Sequence, residues 1–184
     1  MMQQTKVNVS RVPRGMQSAL VWMAAAGLLL AIQPALAAGL SAAQLDNVTL
    51  DAPDMEGDGT HKLTFTNSAH KHEYGTDKII KTAIGDLNGD GLDDGAVVYY
   101  EDGGGTVAFM RLAVFVCKGG KPVQVGDSGL GDRSNTKSLT VKNGVLVLDI
   151  MTHGPSDSAP SPTVHKMVRF KVKKDKLVGP EQVD

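Results

Sequence analysis

The feature that most constrains the fold is a series of short β-favouring runs that extends from residue 48 almost to the end of the chain. Runs rich in Val, Ile, Thr, Tyr and Phe recur about every dozen residues between clusters of Gly, Asn, Asp and Pro, a pattern typical of strands joined by turns. The predicted strands are residues 48–50, 62–66, 79–84, 95–100, 107–117, 122–125, 137–141, 145–150, 164–172 and 176–178. Because no later segment holds a 3.6-residue apolar period, helix is expected only as one short turn at residues 41–45.

The arrangement of these runs predicts a mainly β chain with a single antiparallel domain, either a sandwich or a partly closed barrel or sheet. No internal repeat of about 20–50 residues is visible, which excludes a solenoid or a propeller formed within this chain. Asn143-Gly144 lies between two predicted strands and favours the positive φ angles of a type I′ hairpin. Residues 168–173 alternate between apolar and basic side chains, which predicts a strand with one wet face.

The first 37 residues have the layout of a secretory signal peptide. Basic residues precede an uncharged apolar run at residues 19–32, and an Ala-Leu-Ala cleavage site follows at residues 35–37. The competing interpretation is an uncleaved membrane anchor, but the apolar run is shorter than the roughly 20 residues that span a bilayer. We therefore expect cleavage after Ala37. Residues 38–184 would then form a single exported β-rich domain, periplasmic or secreted, without a transmembrane segment.

Removal of this signal peptide changes the charge balance. The whole chain has 19 basic and 20 acidic residues and a formal net charge of -1. The signal peptide holds three of the basic residues and none of the acidic ones, so the remaining 147 residues carry -4. An acidic domain without a block of Lys or Arg is not expected to bind nucleic acid. The one cysteine, Cys117, excludes a disulfide or a cysteine-based zinc cage within one chain, and we expect it to be buried.

The segment with the clearest chemistry is the acidic loop of residues 86–94, between two predicted strands. Oxygen-bearing side chains stand at loop positions 1, 3, 5 and 9, and position 7 would offer a backbone carbonyl. Calcium takes roughly six to eight oxygen ligands, and a glycine at position 6 allows the sharp turn that directs them inward. The predicted calcium ligands are Asp86, Asn88, Asp90, Leu92 and Asp94.

Two other interpretations of this loop are open. Asn, Asp and Gly are good turn formers, so the segment could be a metal-free turn. Four carboxylates within nine residues count against that interpretation, because unit charges about 4 Å apart repel by roughly 1–4 kcal/mol per pair. Magnesium is the other alternative, although it prefers a stricter octahedron and retains more water. A structural calcium ion is therefore the expected cofactor.

The loop differs from an EF-hand, which needs a bidentate Glu at position 12 and a helix on either side. Position 12 is Val97, and β-favouring residues flank the loop. Its spacing resembles the Asp-x-Asp/Asn-x-Asp-Gly-x-x-Asp calcium loops of integrin-type (FG-GAP/VCBS-like) propeller repeats, in which position 9 carries the last carboxylate. Those proteins repeat the motif several times, whereas this chain has one copy, so the resemblance implies the ion site and not the propeller fold.

A wider resemblance covers most of the predicted domain. The chain carries Leu-Asp-Asn-Val-Thr at residues 45–49, then the acidic loop, Gly-Asp-Arg at 131–133 and Thr-His-Gly-Pro at 152–155. This order is similar to that of a family of small exported bacterial proteins, many of them lipoproteins, of uncharacterised activity. The chain lacks a lipobox and has Ser-Ala-Pro-Ser-Pro-Thr at 158–163, where relatives often carry adjacent cysteines before Pro-Thr. The lipid anchor and the disulfide are therefore not carried over, and the resemblance supports an exported domain without naming a reaction.

A secreted hydrolase is the alternative function. His153 lies in a Gly/Pro-rich loop, with Asp149 and Asp157 as candidate acids on either side. No Gly-x-Ser-x-Gly elbow is present, and adjacency in sequence says little about triad geometry. We therefore prefer structural roles, in which His153 fixes the loop through a backbone hydrogen bond and Asp132 forms an ion pair with Arg133 or caps a strand. No catalytic residue is assigned.

A pair of histidines offers a second metal hypothesis. His70 and His72 stand two residues apart, so on a strand both imidazoles would face one side and could hold zinc or copper. The flanking Asn-Ser-Ala and Tyr-Gly-Thr segments favour a solvated loop instead. The function predicted from the sequence is thus an exported, calcium-binding β domain that acts as a non-catalytic binding or cell-envelope-associated module, with an unknown protein or envelope partner.

Overall fold

A computed structural model describes residues 38–54, 58–104, 108–158 and 161–183. The predicted signal peptide lies outside the described residues, as does Val107 at the start of one predicted strand. Strands make up 67% of the structure and helix 3%, and the sheets are antiparallel and not closed into a barrel. The prediction of a mainly β, antiparallel fold is therefore confirmed. In the described part of the chain, no helix has the length and apolar character needed to cross a membrane.

The described elements begin with a short helix and continue as strands. The helix is α1 (Ala42–Leu45), and the strands are β1 (Thr49–Pro53), β2 (Thr60–Thr64), β3 (Ala69–His72), β4 (Gly75–Gly85), β5 (Asp94–Asp102), β6 (Ala108–Lys118), β7 (Lys121–Asp132), β8 (Asn135–Lys142), β9 (Val145–Thr152), β10 (Val164–Lys173) and β11 (Lys176–Val183). A capping box starts α1, because the Ser41 side chain accepts from the Gln44 backbone and the Gln44 side chain accepts from the Ser41 backbone.

The strands are arranged in three layers. A central five-stranded sheet has the order β3-β4-β5-β6-β7, a four-stranded sheet has the order β11-β10-β9-β8, and β1 pairs with β2. One apolar cluster, the inter-sheet core, is formed by side chains of both larger sheets, among them Val98, Leu112, Leu148 and Phe170. A second cluster, the hairpin core, joins α1, β1 and β2 to the other face of β5 and β6. The central strands are therefore covered on both faces, and Cys117 is buried in the hairpin core as predicted.

The turn between β8 and β9 confirms the hairpin prediction. Asn143 and Gly144 have φ angles of 51° and 74°, and Lys142 pairs with Val145 across the turn. Positive φ at both central positions is the requirement of a type I′ turn. The alternation in β10 is also confirmed, since Phe170 and Val172 are buried while the basic residues between and after them remain accessible.

The prediction that His70 and His72 lie in a solvated loop is wrong. Residues 69–72 form β3, the edge strand of the central sheet, which pairs with β4 from Ala69 opposite Lys78 to His72 opposite Gly75. Asn67 and Ser68, with φ angles of 51° and 64°, make the preceding turn, and Thr66 and Ala69 bridge across it. Asn and Ser tolerate this conformation less readily than glycine does, which is why the turn carries a weaker sequence signal.

Candidate functional site

The acidic loop connects β4 to β5 at one end of the central sheet. Gly85 pairs with Asp94, so adjacent strands hold the two ends of the loop together. Leu87 is buried in the inter-sheet core, whereas Leu92 packs against the hairpin core. The loop therefore straddles the end of the sheet and is anchored in both apolar clusters. Its two glycines, Gly89 and Gly91, have φ angles of +84° and +83°, which L side chains rarely adopt.

The oxygens at loop positions 1, 3 and 5 turn inward onto the loop backbone. Asp86 accepts hydrogen bonds from Gly89 N at 2.6 Å and from Gly91 N at 2.9 Å, one at each carboxylate oxygen. Asn88 Oδ1 accepts from Asp90 N at 2.9 Å, and Asp90 Oδ1 accepts from Leu92 N at 2.8 Å. Each of these side chains thus accepts hydrogen bonds from backbone N–H groups of the loop itself, which is the local bonding that Asp and Asn favour in turns.

Asp94 at position 9 ties the loop to the central sheet. Its side chain is fully buried, at 0% exposure. Oδ2 accepts from Leu87 N at 2.9 Å and from Asn88 N at 3.1 Å, and Oδ1 accepts from Cys117 N on β6 at 2.8 Å. Burial raises the pKa of this carboxyl above 3.8, and the charge of Asp90 adds to that effect, while the three backbone donors oppose it.

Asp86 has the opposite net shift. Partial burial favours the neutral form, but hydrogen bonds from backbone N–H groups, led by those of Gly89 and Gly91, outweigh it and lower the pKa of Asp86 below 3.8. The loop therefore holds an ionised carboxylate at position 1 and a buried, electrostatically strained one at position 9. A cation bound beside Asp94 would offset the cost of ionising that buried carboxyl, and Asp86 would add a carboxylate that the loop already keeps ionised.

The donor set of this loop fits a hard cation. Side-chain carboxylates, the Asn88 amide and the Leu92 carbonyl offer only oxygen atoms, which suits calcium and not a soft transition metal. Across the described ranges, no group of three or more His, Cys, Asp or Glu side chains is arranged to hold a metal ion. A cation in the loop would therefore depend on the amide and carbonyl oxygens as well as on the carboxylates.

The residues of the hydrolase hypothesis are brought together only in part. His153 lines a cavity of about 380 Å³ that also contains Ser134 and Thr152. Asp157 accepts from Gly154 N at 2.8 Å and from Thr163 N at 2.7 Å, and these bonds and the nearby His153 lower the pKa of its carboxyl. The Asp157 carboxylate thus links Gly154 to Thr163 within its own loop.

Asp149, the other candidate acid, and the Ser134 hydroxyl in this cavity both have partners other than His153. His165 Nε2 contacts Asp149 Oδ1 at 2.7 Å on the neighbouring strand, and Ser134 Oγ donates to Leu130 O at 2.6 Å. Asp132 ends β7, where it lies 3.9 Å from the Arg133 guanidinium and accepts from Ala108 N, so the ion-pair interpretation of these two residues is confirmed. This region contains the residue types of a catalytic site, but Asp149, Asp157 and Ser134 form hydrogen bonds with nearby structural partners.

A cavity of about 360 Å³ lies between β2 and the β3–β4 edge of the central sheet, and we call it the histidine cleft. Sequence reasoning missed it. Its ionisable lining includes His61, His70, His72, Asp77, Glu101 and Asp102. These residues come from four strands and span some forty positions of sequence, so their convergence leaves no local motif. The one available signal was the alternation of His70 and His72, which face the same side once β3 is recognised as a strand.

Two histidine–carboxylate contacts organise this cleft. His72 Nε2 lies 3.3 Å from Asp77 Oδ1, and His61 Nε2 lies 3.5 Å from Glu101 Oε1. Glu101 also forms an ion pair with Arg111, which stands on β6 behind it. Both carboxylates are almost completely buried, with 2% exposure for Asp77 and 3% for Glu101.

No protein-family model, curated protein or solved structure matches the chain.

Proposed function

We propose that the chain is an exported β domain that binds one calcium ion through the acidic loop and acts as a non-catalytic binding or envelope-associated module. The observation that carries this proposal is the environment of Asp94. A carboxylate with 0% exposure, raised pKa and a second acidic group nearby is held in a loop whose remaining donors are oxygens. Calcium would supply the opposite charge that this arrangement lacks.

A bound calcium ion would stabilise the folded state and would take no part in a reaction. Asp86, Asn88, Asp90, the Leu92 carbonyl and Asp94 are the proposed ligands. Because the unfolded chain does not hold these groups together, calcium would bind the folded state selectively and stabilise it by mass action. At a free concentration about 100-fold above Kd, this linkage amounts to about 2.7 kcal/mol.

The first experiment compares thermal unfolding in excess chelator with unfolding in millimolar calcium chloride. We expect calcium to raise the midpoint by about 5–10 °C for a domain of this size, and magnesium to raise it less. Asp90→Ala should remove the calcium response because it deletes a side-chain ligand at position 5. Asp93→Ala is the matched control, since it removes an exposed charge from the same loop at a position that is not a proposed ligand.

The same comparison can overturn the proposal. An identical midpoint in chelator and in calcium, together with no heat of calcium binding by calorimetry, would mean that the loop is a metal-free turn. Equal loss of the calcium response in the Asp90 and Asp93 variants would show that net charge, and not ligation, causes the effect.

The hydrolase alternative has weaker support. Of its two candidate acids, Asp149 contacts His165 and Asp157 accepts hydrogen bonds from its own loop. Ser134, which the structure places in the same cavity as His153, donates its hydroxyl to a backbone carbonyl. A nucleophile needs a base positioned to accept its proton, and these contacts direct the groups elsewhere. We therefore assign no catalytic role to His153, Asp149 or Asp157.

A further inference from the structure

We propose that the histidine cleft binds a small organic cation that carries an ammonium or guanidinium group. No residue of this cleft belongs to the acidic loop, so the proposal is independent of calcium binding. The cavity volume of about 360 Å³ falls within the range of roughly 300–1,000 Å³ found for small-molecule sites. β2 forms one wall of the cleft, and β3, β4 and β5 form the other.

The strongest evidence is the state of Asp77. This side chain is 2% exposed and lines the cleft. Its Oδ1 accepts from Asp102 N at 2.8 Å and contacts His72 Nε2 at 3.3 Å. The described residues donate no hydrogen bond to Oδ2, which is not one of the enclosed, unpartnered polar atoms and so keeps some exposure at the cleft. A carboxylate with so little exposure is poorly solvated, and a cation in the adjacent cavity would bind the open oxygen and offset its charge.

His72 does not supply the missing positive charge. Its Nδ1 accepts a hydrogen bond from Tyr74 N at 3.3 Å, and this geometry assigns an unprotonated Nδ1 to the ring. The proton of the neutral ring is therefore on Nε2, where it is donated to Asp77. Asp77 is thus hydrogen-bonded to a neutral imidazole and has no Lys or Arg partner in the described part of the chain.

The cations near the cleft are already engaged. Arg111 offsets the charge of Glu101, and the Lys62 ammonium is drawn out to Asp51, 2.7 Å away. Asp102 has no ion pair among the described residues, so it adds to the negative charge left by Asp77. The cleft consequently attracts a positively charged ligand.

Aromatic rings make the cleft better suited to an organic cation than to a bare ion. The His70 and His72 rings stack with centroids 6.1 Å apart, and the Tyr74 ring is 6.4 Å from His72. Tyr74 is 72% exposed at the mouth of the cleft, where its face can contact a ligand. Ring faces attract ammonium and guanidinium groups within about 6 Å.

The test is a calorimetric and NMR titration of the full domain at fixed calcium concentration, so that the acidic loop stays in one state. The probes are n-butylguanidinium, n-butylammonium, the neutral 1-butanol and the peptide acetyl-Gly-Arg-Gly-amide. We expect both cations to bind with Kd of about 1 mM or tighter and butanol to show no saturable binding. Binding of the peptide as tightly as the free guanidinium would identify a protein side chain as the source of the cation. Binding of the free cations alone would identify a small molecule.

Variants of the cleft separate ligand binding from folding. Asp77→Asn should weaken cation binding about tenfold or more, because it removes the charge and keeps the shape. Asp175→Asn in the β10–β11 turn makes the same change in net charge outside the cleft and should leave the affinity unchanged. Since Asp77 is buried and its variant could lose stability, Tyr74→Ala is a second test at an exposed position. It should raise Kd about threefold to tenfold without changing the thermal midpoint.

Several results would overturn the proposal. Butanol binding as strongly as butylguanidinium would show a merely apolar site. Cation affinity unaffected in both the Asp77 and the Tyr74 variants would place binding elsewhere. Saturable zinc binding that depends on His72 and Asp77, without binding of either organic cation, would identify a metal site instead.

Discussion

At the scale of single residues, Asp94 links the acidic loop to the interior of the sheet. Its two oxygens serve donors on both sides, Leu87 and Asn88 in the loop and Cys117 on β6. The sequence spacing predicts that Asp94 shares a loop with Asp86. It could not predict the bond to Cys117, because that partner lies 23 residues away and meets Asp94 only after β5 pairs with β6.

Asp94→Asn is expected to destabilise the fold by about 1–3 kcal/mol, even though it is nearly isosteric. An amide offers one oxygen where the carboxylate offers two, so its NH₂ group must face a buried backbone N–H, which then lacks an acceptor. Chemical denaturation at neutral pH in the presence of chelator measures the effect without the contribution of calcium. Asp93→Asn, at the exposed neighbouring position, is the control, and equal stability of the two variants would contradict this account.

The raised pKa of Asp94 sets the sign of its own pH dependence. In the window just above 3.8, the folded state retains this proton while the unfolded state loses it. The contribution of Asp94 to the unfolding free energy therefore falls as the pH rises through that window. Asp86 has a lowered pKa and contributes in the opposite direction, because its stabilisation is lost as the pH falls through its folded-state value.

At the scale of elements, turn chemistry decides which strands can be predicted from the sequence. Asn143-Gly144 marks the β8–β9 hairpin clearly, whereas the Asn67-Ser68 turn that precedes β3 carries a weaker signal. β7 runs to Asp132, although only residues 122–125 were predicted. Its glycines, Asp and Ser are typical of a turn, but β6 supplies a continuous pairing partner, and two register shifts accommodate the irregular segment.

Gly144→Ala should destabilise the β8–β9 hairpin by about 1–2 kcal/mol. The cost comes from backbone conformation and not from a clash, because φ is +74° and the nearest heavy atom to an added Cβ is Asp86 O at 3.9 Å. Gly129→Ala on β7 is the matched control, since its φ lies outside the left-handed region and an added Cβ meets nothing within 4 Å. Thermal or urea unfolding of both variants measures the difference, and equal losses would rule out a conformational cause.

At the scale of the whole molecule, the three layers explain which parts of the fold can be predicted from composition and sequence pattern. The recurrent β-favouring runs indicate one antiparallel β domain, and the structure has that character. They do not indicate that β1 and β2 leave the larger sheets to cover a second face, because both faces of a fully buried strand are apolar and show no alternation. The histidine cleft depends on this third layer, so the β-favouring runs do not indicate it either.

Hydrogen exchange should reflect this layering. We expect the backbone amides of β5 and β6 to exchange most slowly, because these strands are paired on both sides and buried on both faces. The amides of β11 should exchange much earlier, since this strand lies at a sheet edge and its side chains are mostly exposed. Mass spectrometry of exchanged peptides measures both, and comparable protection of β11 and β5 would contradict the three-layer account.

The double anchoring of the acidic loop has a kinetic consequence. Leu87 lies in one apolar core and Leu92 packs against the other, on opposite sides of the central sheet. An opening that released the whole loop would expose both side chains to water at once, and the associated free-energy cost would be added to the activation barrier. The opening rate is then governed more by the packing of two layers than by the loop's own hydrogen bonds. Exchange of the proposed calcium ion would therefore depend on local unfolding of both layers.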